Sequence, residues 1–158
     1  MDLVDFDEEK KEILGYIDEV NLLLERAYVP YSKFPVAALL IDNNGKKYKG
    51  VNVENASYGL TLCAERNAIT TAVTGGMKKI KLLVITGNTP EPISPCGACR
   101  QVIREFSDKD TVIILANKDG KYEYSLLGVK SIFFLERKEF SFIQEDKTKF
   151  IEAFSVVK

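Results

Sequence analysis

The chain of 158 residues contains no histidine and only three cysteines. The absence of histidine excludes a Ser-His-Asp triad, a Cys-His pair and an imidazole base. Proton transfer near pH 7 must then use a carboxylate or a metal-bound water. An odd number of cysteines, with no secretory signal, argues against a disulfide framework.

The sequence also lacks long apolar runs and an excess of charge of one sign. No run approaches the roughly 20 apolar residues that a membrane helix needs. The acidic N-terminus does not have the basic-then-apolar order of a signal peptide. The formal net charge is -1, whereas nucleic-acid-binding domains are usually basic. We therefore expect a cytoplasmic protein that binds neither membranes nor nucleic acid.

Composition and periodicity predict one α/β domain over residues 1–158. Hydrophobic residues make up 46% and charged residues 28% of the chain, as in ordinary soluble domains. Apolar spacing predicts helices over residues 7–27, 63–74, 97–106 and, at the end, about 144–154. Strand patterns cover residues 34–41, 47–53, 80–87, 111–117, 121–127 and 132–136. This order predicts a three-layer α/β/α fold with a mixed sheet.

The three cysteines lie at the starts of two predicted helices. Cys63 begins one helix, and Cys96 and Cys99 lie on the first turn of the next. A βα crossover between them can bring both helix N-termini together, and helix dipoles there favour thiolates. Three thiolates suit zinc and leave its fourth tetrahedral position open, as in catalytic sites. We therefore expect one Zn²⁺ ion per chain.

Glu65 and Arg66 follow the first cysteine directly. Glu65 is near enough to reach a metal-bound water without coordinating the metal. Arg66 can offset the net negative charge of three thiolates around a divalent ion, although it could instead pair with a surface carboxylate. A C-x-x-C pair alone also occurs in redox and structural sites, and Cys63 alone would be an ordinary small core residue. Together these residues favour a catalytic zinc site.

Two motifs, CAERNA at 63–68 and SPCGACRQVI at 94–103, resemble the cytidine deaminase family, in its small, homotetrameric, three-cysteine branch. The resemblance extends from YVPYSKFPVAAL at 28–39 through VNVENASYGL to the strand at 111–117. It implies a cytidine deaminase-like fold with a five-stranded sheet. It also implies that Glu65 is the proton shuttle. The implied zinc ligands are Cys63, Cys96 and Cys99. The implied substrate contacts are Phe34, Asn52, Glu54, Tyr58 and Ala64, with Arg66 and Pro95 in support.

The activity implied by the resemblance is zinc-dependent hydrolysis of cytidine and 2′-deoxycytidine to uridine and 2′-deoxyuridine with release of ammonia, as in pyrimidine salvage. Asn52 and Glu54 alternate along a strand end and so point to one side. There they could bind a sugar hydroxyl, and the carboxylate would repel phosphate, which favours a free nucleoside. Two alternatives remain: a deaminase of a cytosine-nucleoside antibiotic of the blasticidin S type, and a non-catalytic zinc module. The module would need a fourth protein ligand and no Glu65.

Two segments depart from the family pattern. Ala37 and Leu39 stand where the family usually has Gly and Ala, so we expect a packing change beside the pocket that alters its volume. The divergent tail, residues 130–158, has no counterpart of the proline-containing segment whose aromatic residue reaches a neighbouring subunit. We expect Phe133 or Phe134 to close a neighbour's site in a homotetramer with shared active sites.

Overall fold

The computed structural model describes residues 3–126. The predicted strand at 132–136, the predicted last helix and both candidate tail aromatics, Phe133 and Phe134, lie outside the described residues. The prediction that residues 1–158 form one domain therefore stays a prediction.

Three α-helices and two short 3₁₀ turns form in the described chain. The α-helices are α1 Leu3–Asn21, α2 Ala64–Thr74 and α3 Gly97–Glu105. The 3₁₀ turns are Leu22–Arg26 and Tyr58–Leu60. The first predicted helix is confirmed, but it starts before residue 7 and its last turn tightens into the first 3₁₀ turn. Within residues 3–126, no helix combines the length and apolarity that a membrane crossing requires.

A five-stranded mixed sheet forms the middle layer. Its strands are β1 Val36–Asp42, β2 Lys47–Val51, β3 Ile80–Gly87, β4 Val112–Ala116 and β5 Tyr122–Leu126. The spatial order is β2-β1-β3-β4-β5. Strands β3 and β4 run parallel, while every other neighbouring pair is antiparallel. The α3 crossover between β3 and β4 allows their parallel pairing. The sheet predicted from the sequence is thus confirmed.

Helices cover both faces of this sheet. Ile13 and Ile17 of α1 pack on one face, and Ile69 of α2 and Ile103 of α3 pack on the other. Successive strand residues alternate between these layers, so β1, β3 and β4 are buried on both faces. The three-layer α/β/α architecture is confirmed, and it leaves α2 and α3 side by side.

Ala37 and Leu39 lie in the layer beneath α1. The pocket described below is on the opposite side of the sheet, and neither residue lines it. The packing change therefore lies away from the pocket wall and not beside it as expected, and its effect on the pocket volume stays a prediction. Because both faces of β1 are buried, the strand shows no polar alternation from which the orientation of its side chains could be predicted.

Gly50 allows α2 to lie unusually close to β2. A Cβ atom at this position would lie 2.4 Å from both the Ala64 carbonyl oxygen and the Ala68 nitrogen. Only a residue without a side chain tolerates such an approach. Gly50 therefore sets the distance of the α2 N-terminus from the sheet.

Candidate metal centre and active site

The three cysteines meet at the adjoining N-termini of α2 and α3. Cys63 is the N-cap of α2, Cys96 is the N-cap of α3, and Cys99 lies on the first turn of α3. Their Sγ atoms all lie within 4.8 Å of one another, and those of Cys63 and Cys96 are 3.9 Å apart. A tetrahedral zinc with bonds of about 2.3 Å holds its sulfur atoms about 3.8 Å apart. The donor set therefore fits zinc in both chemistry and spacing.

Hydrogen bonds stabilise negative charge on this cluster. The Arg66 Nη2 atom donates to the Cys63 Sγ atom at 3.2 Å and to the Thr61 carbonyl at 3.4 Å. This contact with Cys63 is the main reason that the pKa of Arg66 is raised. The Cys99 backbone N–H donates to the Cys96 Sγ atom at 3.5 Å. Burial raises the pKa of Cys96, but this and the other hydrogen bonds outweigh burial and leave the pKa lowered.

Glu65 lies on the first turn of α2 and is only 4% exposed. Burial raises its pKa, opposed by hydrogen bonds from its own backbone N–H and from Cys99 and by the charge of Arg66. A carboxyl group whose pKa moves towards neutrality can both accept and donate protons there. Burial also raises the pKa of Cys99, and the nearby Glu65 charge adds to that rise.

A pocket of about 590 Å³ opens onto the thiol cluster. Its lining comes from three loop regions and the start of α2: Ser32, Phe34, Val36, Asn52, Glu54, Thr61, Cys63, Ala64, Glu65, Ile93, Ser94 and Cys96. The structure thus brings together Phe34, Asn52, Glu54 and Ala64 with the catalytic candidate Glu65, although these residues span three separate stretches of the chain. Its volume lies in the range of small-molecule sites, and its lining combines apolar with polar side chains.

Four predicted site residues do not line this pocket. Cys99 and Arg66 lie behind it, against the other thiols. Pro95 is buried, and its carbonyl accepts a hydrogen bond from the Arg100 Nε atom at 3.0 Å. Tyr58 is 80% exposed and packs edge-on against the Tyr31 ring, with centroids 6.5 Å apart. The roles predicted for these residues stay predictions.

Sequence reasoning did not identify five of the lining residues. These are Ser32, Val36, Thr61, Ile93 and Ser94. Val36 follows Phe34 at the two-residue spacing of a strand, which could have placed Val36 on the same side of the chain as the Phe34 ring. Ser32 precedes a turn at Lys33 and carries no such signal. Ile93 and Ser94 lie in an irregular loop whose composition carries no such signal.

Asn52 and Glu54 are held by backbone groups of the segment that carries Phe34. The Asn52 side chain accepts from the Val36 N–H and donates to the Phe34 carbonyl, each at 2.9 Å. One Glu54 oxygen accepts from the Tyr31 and Ser32 N–H groups, each at 3.1 Å. The pKa of Glu54 is lowered, above all by a hydrogen bond with the Ser32 side chain. Glu54 is therefore ionised at neutral pH.

Comparison with known proteins identifies the family. Residues 10–115 match the family model described as the cytidine and deoxycytidylate deaminase zinc-binding region. The chain belongs to the cytidine and deoxycytidylate deaminase family. This membership confirms the resemblance of the two cysteine motifs. In the described part of the chain, the three thiols are the one group found that could hold a metal, and they fit one Zn²⁺ ion per chain.

Two named relatives and a solved structure support the same family assignment. A cytidine deaminase of Sporosarcina psychrophila is 50% identical over 107 residues, which cover 68% of this chain and 79% of the relative. A cytidine deaminase of Halalkalibacterium halodurans is 47% identical over 104 residues, covering 66% and 79%. The crystal structure of cytidine deaminase from Burkholderia pseudomallei superposes with a TM-score of 0.62 at 38% identity, covering 80% of this chain and 93% of that one. The cytidine deaminase-like fold is thereby confirmed.

Proposed function

We propose that this protein is a zinc-dependent hydrolase that deaminates cytidine and 2′-deoxycytidine to uridine and 2′-deoxyuridine, releasing ammonia. The proposal rests on one observation: three thiols and the buried carboxyl group of Glu65 lie together at one pocket. The family match and the names of the relatives support the same reaction. They do not favour a deaminase of a blasticidin S-type antibiotic, and the open pocket does not favour a non-catalytic zinc module.

Cys63, Cys96 and Cys99 would hold the zinc ion, which supplies Lewis acidity and an activated water when it is bound. Three thiolates exceed the charge of a divalent ion by one. The Arg66 guanidinium lies against the Cys63 sulfur and supplies one positive charge, so it would keep the centre close to neutral. The two helix N-termini add to this effect.

Glu65 would carry the protons of the reaction. Its carboxyl group lines the pocket, where it would take a proton from the water that attacks C4 and pass it to N3 of the pyrimidine, which makes C4 more electrophilic. It would then carry the second proton, from the new hydroxyl group on C4, to the amino group. The bond from C4 to the amino nitrogen breaks, which releases ammonia and leaves the carbonyl of uridine. Burial of Glu65 raises its pKa, which suits a group that takes up and gives away a proton in each turnover.

Residues of the two segments across the pocket from the thiols, 28–36 and 52–54, would bind the nucleoside. Phe34 lines the pocket with its ring available to stack on the base. Asn52 and Glu54 would bind the sugar hydroxyls, and the ionised Glu54 would repel a 5′-phosphate. Both polar atoms of the Asn52 amide already bond to backbone, so its sugar contact would use the second amide hydrogen or oxygen lone pair.

Ala64 lies at the start of α2 in the pocket lining, where it would contact the base. Tyr58 would close the site from the exposed side, and Pro95 would support the Cys96 turn through its carbonyl contact with Arg100. These supporting roles come from the family resemblance and agree with the positions of the residues.

A homotetramer with shared sites is part of the proposal. Several large apolar side chains are exposed on the segments that frame the pocket: Tyr28, Tyr31, Phe34, Val53, Tyr58 and Leu60. Such a grouping suits burial against another copy of the chain. The free thiols suit the reducing conditions of the cytoplasm, where the reaction would serve pyrimidine salvage.

The test is the ultraviolet absorbance change when purified zinc-loaded protein is mixed with each candidate substrate. Cytidine and deoxycytidine should be deaminated far more efficiently than free cytosine, cytidine monophosphate or blasticidin S. Efficient turnover of blasticidin S alone would instead support the antibiotic alternative. No turnover of any of them by the zinc-loaded protein would contradict the proposed function.

A further inference from the structure

One wall of the pocket consists of two segments, residues 28–36 and 52–54, that are joined by hydrogen bonds. Backbone bonds run from the Tyr28 N–H to the Asn52 carbonyl at 3.0 Å and from the Glu54 N–H to the Tyr28 carbonyl at 2.9 Å. The Asn52 amide clamps the far end of the first segment at Phe34 and Val36. The position of the Glu54 carboxylate therefore depends on the conformation of residues 28–36.

Ser32 makes the central contacts in this wall. Its backbone N–H donates to the Glu54 Oε1 atom at 3.1 Å. Its Oγ atom accepts the Phe34 N–H at 3.0 Å. This contact occupies one lone pair of the hydroxyl oxygen and leaves the hydroxyl hydrogen available as a donor. The Ser32 side chain is also the first cause of the lowered pKa of Glu54.

The next residue adopts an uncommon conformation that this network sustains. Lys33 has a φ of 57° and is the one non-glycine residue with positive φ among residues 3–126. Its N–H donates to the Val29 carbonyl at 3.1 Å. Non-glycine residues in the left-handed region persist where surrounding contacts hold them, and they concentrate at functional sites. The turn at Lys33 lets both Ser32 and Phe34 line the pocket, whereas Lys33 does not.

Resting on the function proposed above, we propose that Ser32 is a positioning residue for Glu54, and that it thereby sets the preference of the enzyme for a sugar-bearing cytosine over the free base. Its N–H binds the Glu54 carboxylate, and its Oγ atom accepts the Phe34 N–H and so holds the turn in which the Ser32 N–H faces Glu54. Substrates without a sugar do not use Glu54. Loss of the Ser32 hydroxyl therefore weakens nucleoside binding selectively.

The experiment compares Ser32→Ala, Glu54→Gln and the double variant, with Ser57→Ala as the matched control. Ser57 is an exposed serine in the neighbouring loop, outside the pocket lining, and its side chain makes no capping hydrogen bond. Ser32→Ala should lower kcat/KM for cytidine by up to about tenfold, mainly through KM, as expected for loss of one hydrogen bond that holds the turn beside Glu54. Zinc content should be unchanged, and kcat/KM for free cytosine should change by less than about twofold.

The double variant tests whether Ser32 acts through Glu54. In the Glu54→Gln background, Ser32→Ala should change kcat/KM for cytidine by less than about twofold, because contacting residues that act together are non-additive. Full additivity of the two effects would overturn the proposal. An equal loss on cytidine and free cytosine would do so as well, since that result indicates a general structural role.

A second pair of variants tests the proposal if Ser32→Ala does not fold. Thr and Val have nearly the same volume at this position, and only Thr keeps the hydroxyl. Ser32→Thr should retain the preference for cytidine over cytosine, and Ser32→Val should lose it. Equal preferences in the two variants would overturn the proposal. An inactive wild-type protein would contradict the proposed function itself, whereas an active wild type with an unchanged preference in Ser32→Val would contradict only the role of Ser32.

Discussion

Substitution of Gly50 by alanine tests whether the close approach of α2 to β2 positions the active site. The new Cβ atom would lie 2.4 Å from the Ala64 oxygen and from the Ala68 nitrogen. Ordinary contacts begin at 3.4 Å, so α2 or β2 must move by about 1 Å. Both neighbouring atoms are backbone of α2, and no side chain can rotate away to relieve the clash.

Whether Gly50→Ala raises or lowers the free energy of unfolding shows whether α2 packs tightly against this position. Replacing a strand glycine that has open space around it by alanine raises the free energy of unfolding by about 0.5–1 kcal/mol. Overpacking against rigid neighbours instead lowers the free energy of unfolding by about 1–3 kcal/mol. In a chain of this size, each kcal/mol lowers Tm by about 2–4 °C. We therefore expect Gly50→Ala to melt several degrees below the wild type.

The movement should also displace the groups on the first turn of α2. A misplacement of about 1 Å can lower turnover about a hundredfold, so kcat/KM for cytidine should fall even where the protein is fully folded. Gly15→Ala is the control, because Gly15 lies in α1 with no atom within 4 Å of its added Cβ. That variant should gain stability and keep activity. A Gly50→Ala protein with an unchanged or raised Tm and full activity would refute this reasoning.

Three further predictions concern the thiols, the proton shuttle and a surface carboxylate. The purified protein should contain about one zinc per chain, and Cys63→Ala, Cys96→Ala and Cys99→Ala should each lose it; full zinc occupancy in all three variants would exclude the site. Glu65→Gln should still fold and bind zinc, but its kcat should fall about 10²–10⁴-fold. Wild-type turnover in this variant would exclude the shuttle role. The pKa of Glu19 is lowered, first by its hydrogen bond with Lys47. A carboxylate whose pKa is lowered in the folded state stabilises the fold at pH values above 4.5, the ordinary pKa of the group. That stabilisation is lost as the pH falls through the folded-state pKa. The difference in unfolding free energy between wild type and Glu19→Gln should therefore shrink as pH falls below 4.5, and a difference that stays constant with pH would contradict the assignment.

Local sequence was sufficient to predict the elements and the thiol cluster. The apolar run at 80–87 and the turn residues around it correspond to β3 without any shift of bounds. The cysteines could be placed because each lies at a helix start, which short-range signals mark, and because the connection between them holds one strand. Convergence of the two helix N-termini then follows from the covalent connection and the layer architecture.

The wall opposite the thiols could not be predicted in this way. Asn52 was expected to face the sugar, yet both polar atoms of its amide hold the backbone at Phe34 and Val36. Ser32 carried no signal at all, although it contacts both Glu54 and the Phe34 backbone. Such contacts join segments about twenty residues apart, and hydrophobic periodicity describes only one segment at a time.

The element order, the three thiols at helix starts and the carboxyl group beside them all follow from local residue patterns. The face of the buried strand β1 that carries Ala37 and Leu39, and the groups that anchor Glu54, become known only from the folded chain. Both cases have the same cause. A strand buried on both faces has no polar side to orient it, and a hydrogen bond between distant segments exists only once packing has brought donor and acceptor together.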